Sequence, residues 1–255
     1  MTGPLLVLDN VSKHFGGLTA LNRVNFSVPP GIVQAIIGPN GAGKTTLFNL
    51  LSGIENVSSG EIFFKGEKIS NRSVHQVAAL GISRTFQTVR LFQSLTVLEN
   101  VMMGKHLHSK SEFLTSGFRL PGSRKEERRL TEEGAEILSL FHLQKKAHIP
   151  ARDLPLHEQR QVEIARSLAM EPSVLLLDEP SAGLDTLEVD HLKTDLFRIH
   201  ESGVTLLLIE HDMGFVMDVS DQIMVLNFGE VIAQGPPGVI RKDPQVIRVY
   251  LGKEV

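Results

Sequence analysis

The chain has 255 residues, 42% of them hydrophobic, which is enough to bury a real core and fits one large or two small domains. Its net charge of -3 excludes a chain-wide basic field for nucleic acid, so no nucleic-acid partner is expected. The absence of cysteine excludes a disulfide framework and any cysteine-based metal site or nucleophile. The opening MTGPLLVLDN has no basic region and no long apolar segment, so no signal peptide is expected. No apolar run approaches bilayer-spanning length, so a soluble protein is expected, with any membrane role coming through a partner.

In chain order, residues 5–28 and 61–69 have the texture of short antiparallel strands, as in RVNFSV followed by PPG. IVQAIIG (32–38) predicts a strand buried on both faces, and TTLFNLLSG after it predicts a helix. Residues 98–149 look mainly helical, with RKEERRLTEEGAEILSLF as a solvated helix face. HSKSEFLTSGFRLPGS (108–123), with scattered Gly, Ser and Pro, predicts a loop or short insertion. EQRQVEIARSLAME (158–171) places Val162, Ala165, Leu168 and Ala169 on one helical stripe. SVLLLD (173–178) and VTLLLIE (204–210) predict further buried strands, and LEVDHLKTDLFRIHESG (187–203) between them a helix stopped by Gly203. QIMVLNFGEVIAQG (222–235) predicts a hairpin turning at Asn227–Gly229, and DPQVIRVYLG a short final helix. Strand alternating with helix means an α/β fold.

Two stretches carry chemistry. Gly38, Pro39, Asn40, Gly41, Ala42, Gly43, Lys44 and Thr45 spell G-x-x-x-x-G-K-T between a buried strand and a helix. Glycines let the backbone wrap phosphates, the helix N-terminus adds its positive end, and Lys44 can reach the β- and γ-phosphates. The Thr45 hydroxyl can ligate Mg²⁺, and Thr46 can donate to the α-phosphate. The alternative is a glycine-rich turn before an ordinary helix. In LLLDE (175–179), Asp178 sits at the carboxyl end of an apolar strand, where it can hold Mg²⁺ through a water, and Glu179 is placed to polarise an attacking water. The alternative there is an acidic cap on the next helix. Either motif alone leaves GTPases, kinases and helicases open.

GPNGAGKTT, the glutamine of RTFQ (84–87), LLLDEP, SAGLD (181–185) and IEHD (209–212), in that order, resemble the ATP-binding subunit of an ABC transporter across nearly the whole chain. The resemblance implies a P-loop NTPase core with a mainly parallel sheet, an N-terminal antiparallel β subdomain and an α-helical subdomain. It implies a single ABC-type ATPase domain over 1–255. Residues 1–86 and 172–235 would form the core, 87–171 the helical subdomain and 236–255 a C-terminal tail. ATP and Mg²⁺ are the implied cofactors. Phe15 matches the aromatic that stacks on adenine. Gln87 matches the glutamine that touches Mg²⁺ and senses the membrane subunit, so Thr45, Gln87 and Asp178 form the implied metal set. Ser181, Ala182, Gly183, Leu184 and Asp185 match the loop that communicates across an ATPase dimer, and His211 matches the switch histidine of the γ-phosphate.

Leu154, Pro155, Leu156, His157 and Glu158 fall where the family places LSGGQ, the helix start that covers the ATP of a second subunit. Pro155 has no hydroxyl and no N–H, and Leu156 and His157 restrict close backbone approach where glycines would allow it. The helix dipole and free first-turn N–H groups survive, and His157 offers a compensating donor. The expectation is a stretch that still caps ATP, with weaker or asymmetric catalysis.

GISRTFQTVRLFQSLTVLENV, the insertion around 105–130, IEHDMGFVMDVSDQI and the ending VIRVYLG look like the larger ATP-binding subunit of branched-chain amino acid importers. Implied partners are two transmembrane permease subunits, a second ATP-binding subunit and, indirectly, an external solute-binding protein. The implied location is peripheral, on the cytoplasmic side of the inner membrane. Alternatives are an ATPase of lipopolysaccharide export, a non-transport ABC ATPase, and a nucleotide-binding subunit with impaired hydrolysis.

Overall fold

The computed structural model describes residues 3–105 and 121–251. β1 (Leu6–Phe15) and β2 (Leu18–Val28) form an antiparallel hairpin. β3 (Val33–Ile37) then leads into α1 (Lys44–Leu51), and the chain returns through β4 (Ser59–Phe64) and β5 (Glu67–Lys68) to complete a sheet of order β2-β1-β4-β5. α2 (Val74–Ala79), β6 (Ile82–Arg84), α3 (Val97–Lys105), α4 (Pro121–Leu140) and α5 (Leu156–Leu168) follow. The remainder is β7 (Val174–Asp178), α6 (Thr186–Glu201), β8 (Thr205–Ile209), α7 (Met213–Val219), β9 (Gln222–Asn227), β10 (Glu230–Gly235), α8 (Pro237–Ile240) and α9 (Pro244–Leu251). The second sheet runs β10-β9-β3-β8-β7-β6, parallel except for the β9–β10 hairpin.

The central parallel strands β3, β7 and β8 are apolar but for Gln34, Asp178 and Thr205, because both of their faces are covered. Successive side chains alternate between faces. Ile36, Leu176, Leu207 and Met224 pack into one core with Leu47 and Phe48 of α1 and the antiparallel sheet. Ala35, Leu175, Leu177, Leu206 and Leu208 pack into the other with Val162, Leu192 and Phe215 of the helices. All five residues of β3, of β7 and of β8 are buried. Each of these strands therefore ends at the same edge of a rigid double-covered sheet, which is where an open α/β sheet presents its ligands.

The mixed-charge run forms most of α4. Its exposed side holds Arg128–Glu132 and Arg129–Glu133 pairs one turn apart, and Leu138 is its anchor in the core. The loop expected at 108–123 lies outside the described residues except for its end. There 121–123 are helical, because a proline is accepted at the first helical position. β6, with only three residues and a polar Ser-Arg end, has no strand signal in the sequence and is defined by its pairing with β7. The hairpin turns on Phe228 and Gly229, both with positive φ (46° and 79°), the two-residue turn whose twist matches the flanking strands. Gly229 N–H donates to Ala42 O and its own carbonyl accepts from Asn22 N, so this turn braces the loop that follows β3. Among the described residues no helix is long and apolar enough to cross a membrane.

Candidate functional site

The loop between β3 and α1 is shaped by glycines that no other residue could replace. Gly38 has φ 152° and a Cβ there would stand 2.1 Å from Leu226 O; Gly43 has φ 105° and its Cβ would stand 2.5 Å from Ala20 O. Lys44 is buried, and its Nζ donates to the carbonyls of Gly38 at 2.7 Å and Pro39 at 3.0 Å. Burial pushes the Lys44 pKa down, against the pull of Glu179 and Asp178. No side chain caps α1, so its first-turn N–H groups remain available to an anion. Tyr250 of α9 reaches the same loop. Burial raises its phenol to about 12, opposed by a hydrogen bond from the Gly38 backbone.

A cleft of about 310 Å³ opens over this loop. It is lined by Asn40 to Thr46 together with Phe15, Leu18, Thr19, Ala20, Glu179 and His211. Phe15 is 43% exposed there instead of filling a core, with the Lys13 ammonium 4.6 Å from its ring centre. A larger apolar groove of about 450 Å³ lies over the inner strands β1 and β4 of the antiparallel sheet, among Pro4, Leu5, Val7, Pro30 and Phe63, and shares no lining residue with this cleft.

At the end of β7, Asp178 is buried and its Oδ2 accepts from Arg84 Nη2 at 2.7 Å. Glu179 follows in the left-handed region, φ 50°, with its N–H on Ile209 O. Its Oε2 accepts from Gln87 Nε2 at 2.7 Å and its Oε1 stands 2.9 Å from His211 Nε2. Three residues far apart in the chain thus meet on one carboxylate at the cleft. Neither acid caps the next helix: that position belongs to Asp185, in a reciprocal capping box with Glu188.

Beneath this carboxylate lie two buried charges that sequence reasoning missed. Arg160 of α5 donates through Nη1 to the carbonyls of Glu179 and Pro180, both at 2.6 Å. Glu210, 3% exposed, accepts from Ser181 N at 2.7 Å and His211 N at 3.1 Å. Arg84 was missed likewise. The available signal was a charge embedded in an apolar run, as in GISR and LLLIE.

Leu154 to Glu158 are both a helix start and an open helix end. Leu154 is buried, Pro155 takes the capping position with φ -63° and ψ 160°, and α5 begins at Leu156. Pro155 supplies no side-chain cap, which leaves the first-turn N–H groups without protein partners inside the helix. Leu156 is 47% exposed and its Cδ2 lies against Gly183, so this stretch and the Ser181–Asp185 loop are neighbours. His157 turns to α6, its Nδ1 2.6 Å from Glu188 Oε1 but outside hydrogen-bonding alignment. Glu158 pairs with Lys146. Neither stretch lines the cleft of its own chain.

Thr45, Gln87 and Asp178 offer only oxygen donors suited to a hard cation. Among the described residues there is no cluster of three or more His, Cys, Asp or Glu that could hold a metal alone. Such a donor set fits Mg²⁺ that arrives with, and is shared by, nucleotide phosphates.

Residues 21–182 match the ABC transporter family model, and residues 230–255 match the model of the branched-chain amino acid ATP-binding cassette transporter. The high-affinity branched-chain amino acid transport ATP-binding protein BraF of Pseudomonas aeruginosa is 43% identical over 254 residues, 99% of this chain and 100% of the relative. Its counterpart LivG of Escherichia coli is 40% identical over 256 residues, again 99% and 100%. The ADP conformation of an ATP-binding cassette of an ABC transporter superposes with TM-score 0.85 at 32% identity, covering 99% of this chain and 100% of that one. A dimeric cassette in a post-hydrolysis state with ADP and Pi superposes with TM-score 0.76 at 25% identity, covering 91% and 98%.

Proposed function

The chain belongs to the ABC transporter family of ATP-binding cassettes, and from that premise we propose that it is the ATP-hydrolysing subunit of a branched-chain amino acid importer. The observation that carries the catalytic part is the meeting of Gln87, Glu179 and His211 on one carboxylate at the mouth of the phosphate loop. The substrate class is supported by full-length likeness to BraF and LivG and by the match at residues 230–255, which also favours import over lipopolysaccharide export.

ATP lies along the cleft with adenine on Phe15 and its phosphates on the backbone N–H groups of Gly41 to Thr46. Lys44 exchanges its two loop carbonyls for phosphate oxygens. Glu179, held at Oε2 by Gln87, orients and polarises the attacking water once His211 leaves Oε1 and turns to the γ-phosphate. Mg²⁺ bound with the nucleotide neutralises phosphate charge, and Thr45, Gln87 and Asp178 are the residues that would hold it.

Catalysis is completed by a second ATP-binding subunit. Leu154 to Glu158 act on that partner's nucleotide and Ser181 to Asp185 on the contact between subunits. Their exclusion from their own cleft supports this, as does the solved dimer of the same fold. Binding draws the pair together, and hydrolysis with phosphate release parts it. The segment from Gln87 to Asn100 passes that motion to two permease subunits, supplied by an external solute-binding protein, with this chain peripheral on the cytoplasmic face of the inner membrane. A second reading, nucleotide binding without hydrolysis, is favoured by Pro155, Leu156 and His157 alone. Mg-ATP turnover by the purified chain beside Glu179→Gln separates the two. Loss of a general base predicts a fall of about 100-fold or more, whereas equal, trace turnover in both, alone and with the other subunits, would support the second reading.

A further inference from the structure

We propose that Arg84 is a positioning residue for the metal-assisted step: it holds the carboxylate of Asp178 and ties it to the helix that carries Thr45. The proposal rests on the ATPase reading above. Arg84 sits at the end of β6, paired with the Asp178 strand in the register Arg84 opposite Leu176. Its guanidinium fork divides between two elements. Nη2 donates to Asp178 Oδ2 at 2.7 Å, while Nη1 donates to Asn49 Oδ1 at 2.8 Å on α1 and to Ser52 Oγ at 3.1 Å at the end of α1. The Phe48 and Phe86 rings flank it, 5.5 and 5.1 Å from the guanidinium carbon.

Both side chains of the pair are nearly inaccessible, 6% exposed for Arg84 and 8% for Asp178. Arg84 Nε is buried with no partner, so the fork is turned to serve its three acceptors at the cost of one of its own donors. Packing alone is satisfied at least as well by apolar side chains of that size. What the cation adds is a fixed direction for the Asp178 carboxylate. Without its partner this carboxylate is free to swing away from the direction in which it would hold a cation or order its water. Thr45 and Asp178, on different elements and both residues that would hold the metal, are thereby locked to a common frame through α1. Two effects of Arg84 on a cation oppose each other. Its charge repels the metal, and its grip keeps the carboxylate aimed. With the pair at 2.7 Å in a dry setting, the second prevails.

ATP affinity of the full chain, measured by calorimetry in Mg²⁺ and again in EDTA, separates these. For the wild type the Mg²⁺ affinity exceeds the EDTA affinity, and that ratio reports the metal's share of binding. Arg84→Met is expected to lose about tenfold of the ratio, the scale of an outer-shell metal contact, with the EDTA affinity unchanged. Arg84→Lys, which keeps one point charge without the fork, is expected to fall between and guards against a misfolded Met variant. A ratio unchanged or raised in both variants overturns the proposal, as does an equal fall in Mg²⁺ and in EDTA, which marks a merely structural role. No ATP binding by the wild type under either condition would sink the ATPase reading itself, before any variant is compared.

Discussion

Arg160→Met tests how the helix that follows Pro155 governs the Glu179 carboxylate, the general base of the proposed function. Arg160 is 6% exposed, and one of its nitrogens serves the carbonyls of both Glu179 and Pro180 at 2.6 Å. Its charge also faces the carboxylates of Glu163, Glu210 and Glu179, two of which are almost wholly buried. Removing it strips a charged donor from two carbonyls, at about 1–3 kcal/mol for an unsatisfied buried group, and takes a facing cation from Glu210 and from Glu163, which keeps Arg166. Against this, methionine relieves the desolvation of the guanidinium and of Nε, which has no partner. Loss of one partner from a buried charge cluster typically costs about 3–5 kcal/mol, and with that relief a net loss of about 3 kcal/mol is expected. The left-handed backbone at Glu179 is itself worth about 1–2 kcal/mol of strain, and Arg160 grips the carbonyl of that very residue. Released, Glu179 relaxes and its carboxylate leaves Gln87 and His211. Urea unfolding and ATP turnover, corrected for folded fraction, are the assays. Stability within about 0.5 kcal/mol of wild type, the range of an inconsequential surface change, would refute the energetic reasoning. A destabilised variant whose folded fraction turns over normally would refute the positioning of Glu179.

Phe15→Ala is expected to weaken ATP binding by about 1–3 kcal/mol, the worth of an aromatic–base stack, with little change in stability because the ring is already part-exposed; fluorescent-nucleotide titration measures it. Burial lifts the Glu163 carboxyl above its usual range, so the folded chain holds that proton more tightly than the unfolded one. Its contribution is then full in acid below the ordinary carboxylate pKa and is lost as pH rises through the raised folded value. Glu163→Gln therefore flattens the decline of stability as pH rises above the ordinary carboxylate pKa, and urea midpoints over that rise that keep the wild-type slope would contradict this.

What was legible in the sequence was legible for a physical reason. β3, β7 and β8 announce themselves because both faces need apolar cover, so all but Gln34, Asp178 and Thr205 of their residues are hydrophobic. The phosphate loop is local, its glycines demanded by contacts such as Leu226 O against Gly38, and its lysine adjacent in the chain. Gln87, Glu179 and His211 could be named from order alone, but not their meeting on one carboxylate, which depends on how β7 and β8 end side by side. β6 was unreadable because three residues ending in Ser-Arg have no period. The roles of Arg84, Arg160 and Glu210 were harder to read for a deeper reason. A charged residue signals solvent unless its partner is known, and their partners lie 94, 19 and 29 residues away.

Leu154 to Glu158 show how an altered stretch can keep its physics. Replacing Ser-Gly-Gly by Pro-Leu-His removes a hydroxyl and close backbone approach, yet proline at the cap still starts α5 and adds no side chain to compete for the free N–H groups. The helix therefore presents its positive end unobstructed. Two further residues adjust the local charge. Glu158, a carboxylate in the first turn, would repel a phosphate, but Lys146 neutralises it. His157, expected as a compensating donor, is instead drawn toward Glu188, so any hydrogen bond from it to a partner's nucleotide requires it to leave α6. Leu156, half exposed against Gly183, gives the stretch an apolar contact with the Ser181–Asp185 loop that glycine could not make. Main-chain dipole and apolar packing thus remain where side-chain hydrogen bonding is lost. On the proposed reading, a second subunit's ATP would be capped less tightly but still under the control of the helix whose Arg160 holds Glu179.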